Sequence, residues 1–145
     1  MSAHDLIEIE FLPEHLIGFD DVEARLNTVD AVREGNVHKR LGPTASFIRN
    51  DVVVICGGIH TFWPGMGESW MCVRFSTVGP SVMRAAKEWL DRTIETYKYD
   101  RVQAILPVGD KWARTEKYLG FTLECYLPKY GPNGADKTMW SRVKY

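Results

Sequence analysis

The chain is 145 residues long with a formal net charge of -1, and 45% of its residues are hydrophobic and 26% charged. Such a length suits one domain over residues 1–145, with enough apolar surface to bury a core without disulfides or metals. The near-zero charge excludes a field that would by itself collect nucleic acid or an anionic membrane, and no apolar run approaches the roughly 20 residues needed to span a bilayer.

Residues 6–11 alternate apolar and acidic side chains, the pattern of a strand with one wet face, and Pro13 ends it. Asp20 with Glu23 three residues on has the form of a capping box. Val22, Leu26, Val29 and Val32 follow at helical spacing, so one helix, or two short ones, is predicted through about residue 34, with Gly35 as its stop. Residues 44–49 and 52–57 predict a hairpin across Asn50-Asp51. Val52-Val53-Val54-Ile55 is too apolar for a half-wet strand, and Gly57-Gly58 predicts a bulge or a close backbone approach. A loop is expected at Phe62-Trp63-Pro64-Gly65-Met66-Gly67, before a fourth strand over residues 68–75.

The strongest helical pattern is Val82, Ala85, Ala86, Trp89, Leu90, Thr93, Ile94 and Tyr97. Gly79-Pro80 opens it, with proline at the first helical position. Residues 102–108 are nearly all apolar and predict a central strand. Asp110 is expected to cap a short helix ending at Gly120. Residues 121–127 and 137–143 predict a last hairpin across Gly131-Pro132-Asn133-Gly134, and the alternating aromatics and cations of 137–144 suggest a protected edge strand. A β-α-β unit over residues 70–108 requires a right-handed crossover and parallel pairing. The order β-α-β-β-β-α-β-α-β-β gives an α/β fold, a mixed sheet with helices on both faces.

Cys56, Cys72 and Cys125 are odd in number and lack CxxC spacing, so they fit free thiols in a reducing compartment, the cytoplasm, and no zinc site. The chain opens without a basic and apolar leader. His4, His15, His38 and His60 share no metal-ligand spacing.

The order of elements, with a short helix that ends in Leu119-Gly120-Phe121 and returns as a hairpin, resembles the GNAT superfamily of acyl-CoA-dependent N-acyltransferases. The resemblance covers about residues 5–143. Gly57-Gly58-Ile59, Trp63-Pro64-Gly65-Met66-Gly67-Glu68-Ser69-Trp70 and Tyr130-Gly131-Pro132-Asn133-Gly134-Ala135-Asp136 also resemble small GNAT-like proteins of tailed bacteriophages, some of which are internal virion or assembly proteins. The first resemblance implies a splayed sheet, acetyl-CoA as cofactor without a metal, and a small-molecule or protein amine as acceptor. The second implies a non-catalytic role, phage structural proteins as partners, and the host cytoplasm or virion as location.

By the family's pattern, the main chain of Cys72, Val73, Arg74 and Phe75 would meet the pantetheine. The turn Val78-Gly79-Pro80-Ser81-Val82-Met83 would present N–H groups to the pyrophosphate at a helix N-terminus. Val78 stands where the family favours a basic residue, and Ser81 and Met83 where it favours small ones. Pro80 removes a donor. Two missing charge-assisted hydrogen bonds, each of roughly 1.5–3 kcal/mol, would weaken CoA by about 100- to 10,000-fold. Arg84 and Lys111 are the candidate replacements. The resemblance makes Glu68 the candidate base and Glu116, four residues before Gly120, the occupant of the acid position often held by tyrosine. Tyr118 lies about 200° around the helix from it. Tyr126 and Tyr130, on the hairpin, are further candidates.

Overall fold

The computed structural model describes residues 5–17, 19, 28–74 and 79–145. Seven strands, β1 (Ile7–Ile9), β2 (Thr44–Arg49), β3 (Val52–Trp63), β4 (Met66–Val73), β5 (Arg101–Pro107), β6 (Thr122–Leu127) and β7 (Lys137–Val143), form a sheet in the order β1-β2-β3-β4-β5-β7-β6. The helices are α1 (Thr28–Leu41), α2 (Pro80–Tyr97) and α3 (Asp110–Tyr118). The fold is α/β with a mixed sheet: β4 and β5 run parallel, while β1–β2, β2–β3, β5–β7 and β6–β7 are antiparallel. The chain forms two compact units, residues 1–61 with 69–85, and residues 62–68 with 86–145.

In the first unit the β2–β3 hairpin turns at Asn50 and Asp51, both with positive φ (52° and 62°), the backbone twist that suits a two-residue hairpin. The register shifts where Phe47 and Ile48 face Ile55 and Val53, so the extra residue is Val54 and the bulge lies there in β3, not at Gly57-Gly58. Those two glycines serve close approach instead. A Cβ at Gly57 would sit 2.6 Å from the Trp70 carbonyl oxygen, and one at Gly58 2.5 Å from that of Pro43. Strand β3 therefore runs through them to Trp63.

Helix α1 passes through Gly35, the expected stop, and ends at Leu41. Glycine is needed there because a Cβ would meet the Pro13 Cα at 2.5 Å. Pro13 opens a 3-10 turn, Pro13–Leu16, that lies against the helix. We expect Gly35→Ala to destabilise the protein by about 2 kcal/mol or more, read as a fall in urea midpoint, although alanine is the better helix former. Asp20, Glu23, Val22 and Leu26 lie outside the described residues, as does the side chain of Val29. Val32 stays exposed. The core of this unit is Phe11, Leu16, Phe19, Ala31 and Cys56, with Val53, Trp70 and Cys72 packed on it.

In the second unit the expected loop at 62–67 shrinks to Pro64-Gly65. Gly65 takes φ 88°, so Met66 and Gly67 can already pair as strand. Strand β7 forms seven pairs with β5, from Arg101↔Val143 to Pro107↔Lys137, and pairs with β6 on its other side. It is an interior strand, and the edge is β6, contrary to the reading of its aromatics and cations as edge protection. Lys137 is accordingly buried. Helix α3 begins after Gly109 (φ 154°), which makes no side-chain cap bond. Asp110 is the first helical residue and not the cap, where its charge complements the helix's positive end. Leu90, Tyr99, Val102, Ala104, Leu119, Phe121 and Trp140 are buried.

The parallel ladder between β4 and β5 has three pairs, Met66↔Arg101, Gly67↔Val102 and Glu68↔Gln103. Among the described residues no later pair joins the two strands, as a splayed sheet requires.

Candidate functional site

The last rung of that short ladder carries a side-chain bond. Gln103 Nε2 donates to Glu68 Oε1 at 3.0 Å. One oxygen of the half-buried Glu68 carboxylate is thus held by a neutral amide. Arg101, two residues before Gln103, donates to both Glu124 oxygens at 2.5 and 3.0 Å and from Nη2 to Gln103 Oε1 at 3.4 Å.

Glu116 is the second candidate carboxyl of this unit. It sits on the inner side of α3, 3% exposed, and its Oε2 has no hydrogen-bond partner among the described residues. Burial pushes its pKa up to about 8, so at neutral pH it is a carboxylic acid, able to donate. Tyr118 faces outward and is exposed, as its offset of about 200° around the helix requires. The helix exit is fixed by the Phe121 N–H, which donates to the Glu116 carbonyl oxygen at 2.9 Å, and by Gly120 at φ 95°. Arg142 braces it, donating to the Leu119 carbonyl oxygen at 3.0 Å and to Asp91 at 2.8 Å. Leu119-Gly120-Phe121 therefore sets where Glu116 stands. A cavity of about 670 Å³ is lined by Asp110, Ala113 and Lys117 of α3 with Leu123, Thr138 and Trp140 of the last hairpin; Glu116 is not in its wall. Lys111 is exposed, its Nζ 5.5 Å from the centre of the Trp112 ring. Tyr126 donates to Asp136, and Tyr130 is exposed.

In the first unit the predicted cofactor residues divide. Cys72 packs on the core beside Cys56, whose thiol is held far above its usual range by a hydrogen bond to Cys72 and by burial. The Val73 side chain is fully buried. Val73 is 0% exposed, main chain included, so of these two residues only the half-buried Cys72 is open to a cofactor. The Arg74 N–H donates to the Val54 carbonyl oxygen, its Nε to that of Val53, both at 3.4 Å, and its guanidinium lies over the Phe19 ring. Phe75 and Val78 lie outside the described residues. The Gly79 carbonyl oxygen accepts from the Val82 and Met83 N–H groups at 3.1 and 3.2 Å, which starts α2 and engages two of its first amides. Arg84 is exposed.

One residue was not anticipated. Arg49, the last residue of β2, donates from Nη2 to Ser81 Oγ at 2.5 Å. A guanidinium therefore stands at the first turn of α2, three residues after the Val78 position that lacks a cation. No local signal marks it, because its partner is 32 residues away in sequence.

Among the described residues no helix is long and apolar enough to cross a membrane. No group of three or more histidine, cysteine or acidic side chains among them could hold a metal ion.

No protein-family model and no curated protein matches the sequence. Solved structures match the fold. An acetyltransferase of the GNAT family from Bacillus anthracis aligns with a TM-score of 0.75 at 16% identity, over 98% of this chain and 96% of that one. The fold is that of the GNAT acetyltransferases. A Salmonella typhimurium protein assigned as an acetyltransferase, solved with its cofactor acetyl-CoA, aligns with a TM-score of 0.73 at 13% identity, over 95% and 93% of the two chains. The ribosomal-protein-S5-alanine acetyltransferase from Vibrio fischeri aligns with a TM-score of 0.73 at 16% identity, over 96% and 93%. At such identities the likeness concerns the GNAT fold, and the chemistry has to be argued from the side chains.

Proposed function

We propose that the chain is an N-acyltransferase that moves an acetyl group from acetyl-CoA to a primary amine. The observation that carries this reading is Glu116, a buried carboxyl on α3 whose Oε2 has no hydrogen-bond partner among the described residues and whose pKa burial raises, at the position where the resemblance implies a proton donor. A group of this kind costs stability, and a role in proton transfer accounts for its presence.

The residues at the start of α2 suit a pyrophosphate once Arg49 is counted with them. Arg49 and Ser81, with Gly79, would hold that group, and Arg84 would add outlying charge. The main chain of Cys72 and Arg74 would hold the pantetheine arm. When bound, acetyl-CoA supplies the activated acetyl thioester. Glu68, its Oε1 fixed by Gln103, would accept the acceptor amine's proton at Oε2. Glu116 would hold at Oε2 the proton that a departing thiolate requires.

Isothermal titration with acetyl-CoA, paired with thiol release across a panel of primary amines, tests the reading. Absence of both heat and release at millimolar ligand would sink it. Arg49→Ala should weaken acetyl-CoA by about 10- to 100-fold, the loss of one charge-assisted hydrogen bond, with circular dichroism unchanged. An unaltered affinity would remove Arg49 from the site.

A second reading, a non-catalytic phage virion or assembly protein, is favoured by Phe62 and Trp63, 48% and 61% exposed at the end of β3. Co-purification with a capsid or tail protein would support it. Turnover of acetyl-CoA by the purified chain would eliminate it.

A further inference from the structure

Away from the residues discussed so far, the first unit holds a pair of histidines in direct contact. His38 of α1 and His60 of β3 place Nδ1 and Nε2 2.5 Å apart. Their rings stack with centroids 4.7 Å apart and 27° between planes. His38 also stacks on the Trp70 indole of β4, at 4.0 Å and 17°. The imidazole of His38 is buried and lies between its helix and two strands.

A gap of 2.5 Å between two ring nitrogens has room for one hydrogen. With both rings neutral, one N–H points at the other's lone pair. With one extra proton on the pair the same arrangement persists. When both rings are fully protonated, both facing nitrogens carry a hydrogen, and two cations lie in stacking contact. No rotation about the ring axis restores the bond, because Nδ1 and Nε2 of an imidazolium are both donors.

We propose that the His38–His60 pair is an acid-sensitive latch, which holds α1 on β3 and β4 while at least one ring is neutral and releases α1 when both are protonated.

From α1 itself, Glu34 lies 3.6 Å from His38 Nε2. It favours the cation, but it is half exposed, so solvent screens it. Strand β4 offers the Trp70 indole. Beyond Trp70, Phe11 meets the indole edge-on at 5.4 Å, and His15 of the 3-10 turn lies on the far side of Phe11 at 5.9 Å. His15 Nδ1 accepts from the Leu12 N–H at 3.1 Å and is bonded to Ser46 Oγ at 2.7 Å.

The direction of titration agrees. Burial, and next the charge on His60, pull the His38 pKa down to about 4. Burial also lowers that of His15. The fold thus prefers neutral imidazole. The stability this contributes is complete above about pH 6.5 and is lost as pH falls through about 4.

The test is hydrogen exchange resolved by segment, between pH 7 and pH 4, on the whole chain and on His60→Gln and His38→Asn, which keep a polar partner but do not titrate. In the unaltered chain, residues 31–41 should lose protection before β5 and β7 do, once rates are corrected for intrinsic exchange. At pH 4.5 both variants should open α1 about 10-fold less, relative to their own behaviour at pH 7, than the unaltered chain. Equal acid opening in all three, or opening of α1 no earlier than β5 and β7, overturns the latch. If neither variant folds, the ring nitrogens of the unaltered chain can be followed by nuclear magnetic resonance. Both rings titrating together near pH 6.5 with α1 still protected would also overturn it.

Discussion

Glu116→Gln should lower turnover about 100-fold or more while making the protein more stable at pH 8. The two effects have one cause. The Glu116 carboxyl is buried without a partner for Oε2, and its pKa stands near 8 against an ordinary 4.5. Between those values the unfolded chain releases a proton that the folded chain retains. Stability on this account is complete below about pH 4.5 and declines as pH rises to about 8, by at most roughly 5 kcal/mol. Glutamine has the same shape and does not ionise, so that decline should vanish. Glutamine also cannot deliver a proton, and a positioned acid contributes about 100- to 10,000-fold to a rate. In the unaltered protein, acetyl transfer should fall as pH rises through about 8, where a tyrosine donor would persist toward 10. Denaturant midpoints at pH 6 and 8, with turnover over the same range, give both answers. A glutamine variant as active as its parent would leave Glu116 a structural oddity and remove the main support for catalysis.

Gly42→Ala should abolish or nearly abolish folding of the first unit. A Cβ at Gly42 would lie 1.9 Å from the Ile59 carbonyl oxygen and 3.1 Å from the carbonyl carbon. Both belong to backbone that cannot rotate away, since the Ile59 N–H donates to the Pro43 carbonyl oxygen at 3.0 Å. The added methyl must therefore part α1's exit from β3, at a cost of roughly 3 kcal/mol or more. Gly134→Ala is the instructive contrast: its φ is 73°, yet nothing lies within 4 Å of the added atom. There only backbone strain is paid, about 1 kcal/mol. Thermal midpoints of the two variants should differ widely. Equal midpoints would mean that the approach at Gly42 is looser than these distances state.

These glycines also show what a sequence discloses. Element order, the β2–β3 hairpin, proline at the start of α2 and the parallel crossover all follow from local pattern, because propensity and turn chemistry act within a few residues. Gly35 was read as a helix stop because glycine commonly ends helices, but its reason lies in Pro13, 22 positions earlier. Asp110 looked like a cap for the same kind of reason. Strand β7 looked like an edge because its cations suit an edge, yet its place beside β5 is fixed by how the last hairpin folds back. In the candidate site, Glu68 and Glu116 follow from the resemblance to the GNAT superfamily, whereas Arg49 and Gln103 do not. Each of the latter matters through one partner that only the tertiary fold brings near.

The interior position of Lys137–Val143 has a practical corollary for anyone shortening this chain. Cutting ahead of Lys137 would strip partners from both β5 and β6 at once, opening one new raw border on each. The border on β5 would present Val102, Ala104, Ile105 and Leu106 along an open ladder, the sort of surface that recruits other chains into insoluble assemblies. Truncated forms of this protein should therefore be sought in inclusion bodies rather than in the supernatant.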